Sequence, residues 1–137
     1  MRLSISDWRR LAAAACSQVL TACALRTMPL PALRTMFARV RPFACFMLKG
    51  SDEDVIWAIE ASGRRLGGLS TCLVRAIIVD MCLSTPERPL RLTIGVRREL
   101  VGDLQSHAWV EDRDRILIGG STAGEFLPLV AWDSLLT

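Results

Sequence analysis

Apolar residues recur at intervals of three and four through the first 84 positions and at intervals of two beyond position 90. That change of period predicts helices followed by strands. Trp8, Leu11, Ala12, Ala15, Val19, Ala22 and Cys23 make one helical stripe, with Ser6 before Asp7 as its cap. Pro29 and Pro31 end that helix, and Pro31 starts a second one reaching about Val40. Pro42 is expected to break the second helix, leaving Phe43 to Leu48 as a short apolar connection. A third helix is capped at Ser51, carries Asp52, Glu53 and Asp54 in its first turn, and is closed by Gly63, Gly67 and Gly68.

The fourth helix opens at Ser70 or Thr71 and runs to Leu83. It is apolar nearly all round, as a helix packed on several sides must be. Thr85 to Pro89 stops it, and strands are then expected over Leu90–Arg97, His107–Glu111 and Arg115–Ile118, with a turn at Asp112–Asp114. Helices first and an antiparallel sheet last give an α+β fold. No repeat, low-complexity tract or linker divides the 137 residues. One domain is expected: helical over 1–84, stranded over 90–120, and a tail over 121–137.

Composition narrows the function classes. Aromatics are 6% and tyrosine is absent, which leaves little for a single-strand nucleic-acid stacking platform. No stretch reaches the ~18 uncharged apolar residues of a spanning helix, and membrane association is not expected. The basic start, apolar run and Leu20–Cys23 imitate a lipoprotein signal, but Asp7, Ser17 and Gln18 interrupt it and the helical reading accounts for the segment better. Residues 1–50 carry eight basic side chains against Asp7 alone, and the remainder is net acidic. Such asymmetry arises from arginines on solvated helix faces or from a docking face for an acidic partner. Cys16, Cys23, Cys45, Cys72 and Cys82 are odd in number and unclustered, so reduced cytoplasmic thiols are expected, with no metal site and no cofactor.

Two segments carry chemistry. Cys72 falls in the first turn of the apolar helix, where the helix dipole and free backbone N–H groups favour a thiolate and can hold an oxyanion. His107, the sole histidine, lies on a strand. Taken singly, each reads as a packed core residue. A helix packed on that strand would bring the pair within hydrogen-bond reach, the geometry of a base-activated thiol. Cys16 and Cys23 lie in an amphipathic helix, Cys45 in the apolar connection, and Cys82 at the end of the fourth helix where the dipole opposes ionisation.

Thr71-Cys72-Leu73-Val74, the strand Leu92-Thr93-Ile94-Gly95-Val96-Arg97 and the run His107-Ala108-Trp109-Val110-Glu111 together resemble the lasso-peptide biosynthesis B protein family, in its transglutaminase-like leader-peptidase half. The likeness covers roughly residues 50 to 120. It implies a transglutaminase-like, papain-like cysteine peptidase fold and removal of the leader from a ribosomally made precursor peptide. It also implies two partners, a separate leader-recognition protein and an ATP-dependent lasso cyclase; the charge of the basic first third, independently of the resemblance, makes it a candidate docking surface. Cys72 would be nucleophile and His107 base. A leader-presenting module without activity, or another acyl-transfer enzyme of the same superfamily, are the alternatives.

The family's third catalytic residue is an aspartate twelve positions after the histidine, and Gly119 stands there. A hairpin turning at 112–114 would set position 119 opposite His107, so Gly119→Asp is expected to raise activity. Asp112 and Asp114 lie at the turn, about 16 Å away. A backbone carbonyl, a water or Asp133 are the candidate substitutes. Trp109 and Glu111 share the face of His107, Trp109 as core or cleft wall and Glu111, about 13 Å along, in a structural or substrate-contact role. Gly95 reads as a bulge or as a place where backbone approaches closely.

Overall fold

In a computed structural model, residues 2–99, 102–120 and 123–132 are described. Four helices precede four strands: α1 (Ile5–Thr27), α2 (Leu30–Met47), α3 (Asp52–Leu66), α4 (Cys72–Leu83), β1 (Arg91–Arg98), β2 (Leu104–Asp112), β3 (Arg115–Ile118) and β4 (Leu127–Trp132). The sheet has the order β3-β2-β1-β4 with antiparallel neighbours throughout. The fold is α+β, as the change of period predicts.

Local chemistry sets the helix ends. Ser4 caps α1 in a reciprocal box with Asp7, two residues before the expected Ser6, because only Ser4 is three residues upstream of an acidic side chain that can reach back. Ser51 and Asp54 repeat the device on α3. Gly63 does not end α3. It sits inside the helix, where a Cβ would come within 2.5 Å of Ser70 Oγ, so its role is to let the chain before α4 approach.

Three elements differ from the sequence pattern. Pro42 lies within α2, which runs on to Met47 and so takes in Cys45. Proline removes one hydrogen bond and strains one turn, a cost of about 3 kcal/mol that buried Phe37, Ala44 and Leu48 offset by packing on either side of it. α1 is rotated: Ala14, Gln18, Thr21 and Ala22 face the interior, whereas Trp8, Ala12 and Cys23 are exposed. Alanines surround this helix, so periodicity left its orientation weakly defined. Residues 121–137, expected as a tail, contain β4, which pairs with β1 through a register shift at Ile94/Gly95.

α4 is the hub. Val74, Ala76, Ile77, Ile78, Val79 and Met81 are buried in a core shared with α1, α2, α3 and one face of the sheet. Leu92, Ala108 and Val110 belong to that face. Alternation therefore turns Thr93, Trp109 and His107 to the other side, where Trp109 is 3% exposed without belonging to the main core. Among the described residues no helix is long and apolar enough to cross a membrane.

Candidate active site

Thr71 Oγ1 accepts from the Val74 N–H, making Thr71 the cap and Cys72 the first residue of α4. The Arg75 N–H bonds the Thr71 carbonyl. The Cys72 and Leu73 N–H groups consequently remain as donors without an acceptor among the described residues, as expected in a first helical turn.

The chain just before α4 is anchored by a buried polar network. Ser70 Oγ donates to Gln18 Oε1 and accepts from Arg75 Nε at 2.7 Å, while Gln18 Nε2 donates to the Ile59 carbonyl at 3.0 Å and to Ser62 Oγ at 2.8 Å. Gln18 is fully buried. In the sequence it registers only as an interruption of an apolar run, because one polar residue on a helix gives no sign that partners 41 to 52 positions away will satisfy it.

β3 pairs with β2 only from Val110 to Asp112, so among the described residues the edge of β2 beyond that point has no strand beside it. A cavity of about 290 Å³ opens there, lined by Glu60, Cys72, Arg75, His107, Ile118 and Gly119 among others. Cys72 and His107 thus share one cavity, but not in the way the packing argument expected. The face of β2 that packs on α4 is that of Ala108 and Val110, and His107 reaches the cavity from the strand edge. Among the described residues no hydrogen bond joins the Cys72 thiol to the ring. Glu60 and Arg75, charged groups that line the same cavity, are members of it that pattern reading missed.

The orienting contact on His107 is a backbone one: Nε2 lies 2.7 Å from the Gly119 carbonyl oxygen. A carbonyl only accepts, so Nε2 carries the proton and Nδ1 is left with the basic lone pair. The tautomer follows from that bond. The ring is also held between Trp109, centroids 6.0 Å apart, and Phe126 at 5.1 Å. Arg97 lies over the Phe126 ring, 5.0 Å from its centroid, and pairs with Glu125 and Glu99. Phe126 was hidden because it belongs to the segment expected as a tail.

Gly119 cannot take the family's aspartate. A bulge between Val110 and Glu111 shifts the hairpin register, pairing Val110 with Ile118, and Gly119 has φ +80°. A Cβ there would sit 2.7 Å from the Ala108 carbonyl and 3.0 Å from Trp109 Cβ. Gly119→Asp is therefore expected to cost about 1–3 kcal/mol of stability and to lower activity. A fall in melting temperature together with slower cleavage checks this, and it reverses the expectation from an unbulged hairpin.

Asp112 is engaged elsewhere, with Arg88, which bridges it to Asp52 at 2.7 Å on each side. Glu111 accepts from Thr93 Oγ1 at 3.4 Å and does not line the cavity. Gly95 pairs with His107 across β1 and β2, and the Trp109 ring and the Leu127 carbonyl occupy the space a Cβ would need. Close approach and irregular register both apply at Gly95, and what approaches is Trp109 and β4. Asp133 lies outside the described residues. Among the described residues no group of three or more His, Cys, Asp or Glu side chains could hold a metal ion.

A second groove of about 550 Å³ runs between α1 and α3, lined by Trp8, Leu11, Ala12, Trp57, Arg64 and Arg65 among others. It holds Trp8, Leu11, Ala12 and Ala15 of the apolar stripe that pattern reading assigned to the core. Of the basic residues in the first third, Arg10 is engaged with Asp7, Asp54 and the Lys49 carbonyl, and Arg41 with the Ser84 carbonyl.

A family model described as the transglutaminase-like superfamily matches residues 7–131. No curated protein and no solved structure matches the chain.

Proposed function

This chain belongs to the transglutaminase-like superfamily, and on that premise we propose that it is a cysteine peptidase that removes the leader from a ribosomally made lasso-peptide precursor. The observation that carries the proposal is the cavity at the edge of β2, which a thiol at the head of α4 and an imidazole of defined tautomer both line.

In the proposed reaction Nδ1 of His107 takes the Cys72 proton and the sulfur attacks the scissile carbonyl. The Cys72 and Leu73 N–H groups receive the oxyanion. The imidazolium then protonates the leaving amine, which departs as the first residue of the core peptide and leaves the leader as a thioester on Cys72. Water attacks the thioester with His107 again as base, and the leader acid and free thiol are restored. The Gly119 carbonyl keeps the tautomer but lacks the negative charge with which a carboxylate steadies the imidazolium.

The amine so released is the group an ATP-dependent cyclase would join to a side-chain carboxylate. A separate leader-recognition protein would deliver the precursor, and the α1–α3 groove, with Trp8 and Trp57 exposed beside Arg64 and Arg65, is the surface whose chemistry supports its docking. A second reading, a leader-presenting module without activity, is favoured by the glycine at position 119 and by the lack, among the described residues, of a hydrogen bond between the Cys72 thiol and the imidazole.

Incubating the chain with precursor, with and without the leader-recognition protein, and weighing the products separates the two readings. Cleavage at the leader–core junction that disappears in Cys72→Ala is expected. Binding without cleavage in any combination would favour the presenting module, and cleavage that survives Cys72→Ala would remove the assigned nucleophile.

A further inference from the structure

Away from the cavity, α2 and the far end of α4 bring a second pair of thiols together. Cys45 Sγ is 3.6 Å from the Cys82 carbonyl oxygen and 3.8 Å from that of Met81. The two cysteines therefore adjoin across the contact between α2 and α4, and Arg41, one turn before Cys45 on α2, donates to the Ser84 carbonyl two residues beyond Cys82. Both cysteines are partly buried, and Cys45 is within reach of small solutes. Nothing in the proposed peptidase chemistry uses either residue.

We propose that Cys45 and Cys82 form a peroxide-reactive dithiol, in which Cys45 is oxidised first and Cys82 closes a reversible disulfide between α2 and α4. The Cys45 sulfur attacks one oxygen of a hydroperoxide, the O–O bond breaks, and Cys45 sulfenic acid forms with release of hydroxide or alkoxide. The Cys82 sulfur then attacks the sulfenic sulfur and expels its oxygen as water, with the Cys82 proton supplying one of the hydrogens. Two electrons pass from the sulfurs to the peroxide, which is the only oxidant required.

The surroundings divide these roles. The hydrogen bond from Cys82, and after it Arg41, pull the Cys45 thiol down to about 6 from an ordinary value of 9.0, against the opposing effect of burial. Cys45 is therefore the member of the pair with the greater thiolate character, the form that reacts. The hydrogen bond to Cys45 and burial push Cys82 up, so Cys82 keeps its proton until the sulfenic acid is beside it. Pattern reading placed Cys45 in a featureless apolar connection, since Pro42 hid the helix that sets Arg41 and Cys45 one turn apart.

The test needs only the reduced full chain. After titration with hydrogen peroxide in the absence of air, remaining thiols are blocked with iodoacetamide and the chain is digested with trypsin without reduction. Val40–Lys49, which holds Cys45, is expected joined to Ala76–Arg91, which holds Cys82, at a mass two hydrogens below their sum. Dithiothreitol should separate them. Cys45 is expected to be consumed roughly tenfold faster than exposed Cys16 and Cys23. In Cys82→Ser the reaction should stop at a sulfenic acid on Cys45 that dimedone traps. Consumption of Cys45 no faster than that of Cys16 and Cys23, or a cross-link that joins another pair first, would overturn the proposal. No activity is read, so the result is independent of whether the chain cleaves a precursor.

Discussion

Precursor cleavage by His107→Ala is expected to fall by about a thousandfold, with little loss of stability. His107 is the chain's only histidine, and the charged side chains that line the cavity with it are Arg75, which cannot accept a proton, and Glu60, a carboxylate, which as a class is a far weaker base than imidazole. The stability change should be about 1 kcal/mol, since the half-buried ring makes one hydrogen bond, to the Gly119 carbonyl. Cleavage rates and melting curves on the same preparation separate the two effects. A variant that melts normally and still cleaves at near the parent rate would show that the ring is not the base.

Trp109→Ala should produce the largest loss of stability, about 3–5 kcal/mol. Trp109 is 3% exposed and fills a small cluster outside the main core, with Gly95 beneath its ring and His107 stacked on it, so few neighbours can collapse into the space it leaves. Its Nε1–H has no hydrogen-bond partner among the described residues. Trp109→Phe should therefore lose much less, because the smaller ring removes an unsatisfied buried donor along with some volume. Urea denaturation of the two variants checks the order. A phenylalanine variant as unstable as the alanine one would mean that the indole N–H is paired after all. The alanine variant should also cleave more slowly than its stability alone explains, since His107 loses one of the two rings that hold it.

Most of the architecture was legible where local rules and tertiary packing agree. Ser51 with Asp54, the wholly apolar α4, and the alternation of β1 and β2 are each dictated by nearest neighbours, and each element lies close to where the pattern puts it. The misreadings share a cause. Pro42 within α2, the rotation of α1 and the strand β4 are all decided by distant partners: a core on either side of the proline, Ser62 and Ser70 for Gln18, and β1 for β4.

The site shows the same division. Cys72 at the head of α4 and His107 on β2 could be read from short segments. The Gly119 carbonyl that orients the ring could not, because every residue carries a carbonyl and only a bulged register with a positive φ aims this one. Glu60 and Phe126 meet the site from elements whose packing no periodicity reports. The cysteine pair of α2 and α4 was hidden for the same reason.

The central claim is that Cys72 and His107 act on each other across the cavity at the edge of β2. It is tested most directly by the alkylation rate of Cys72 with iodoacetamide at neutral pH, read on the tryptic peptide Leu66–Arg75 so that Cys45 and Cys82 are counted separately. In the parent chain Cys72 should react roughly tenfold or more faster than in His107→Ala, while the rate at Cys45 stays the same in both. Equal Cys72 rates in two well-folded proteins would contradict the pairing, and the peptidase assignment with it.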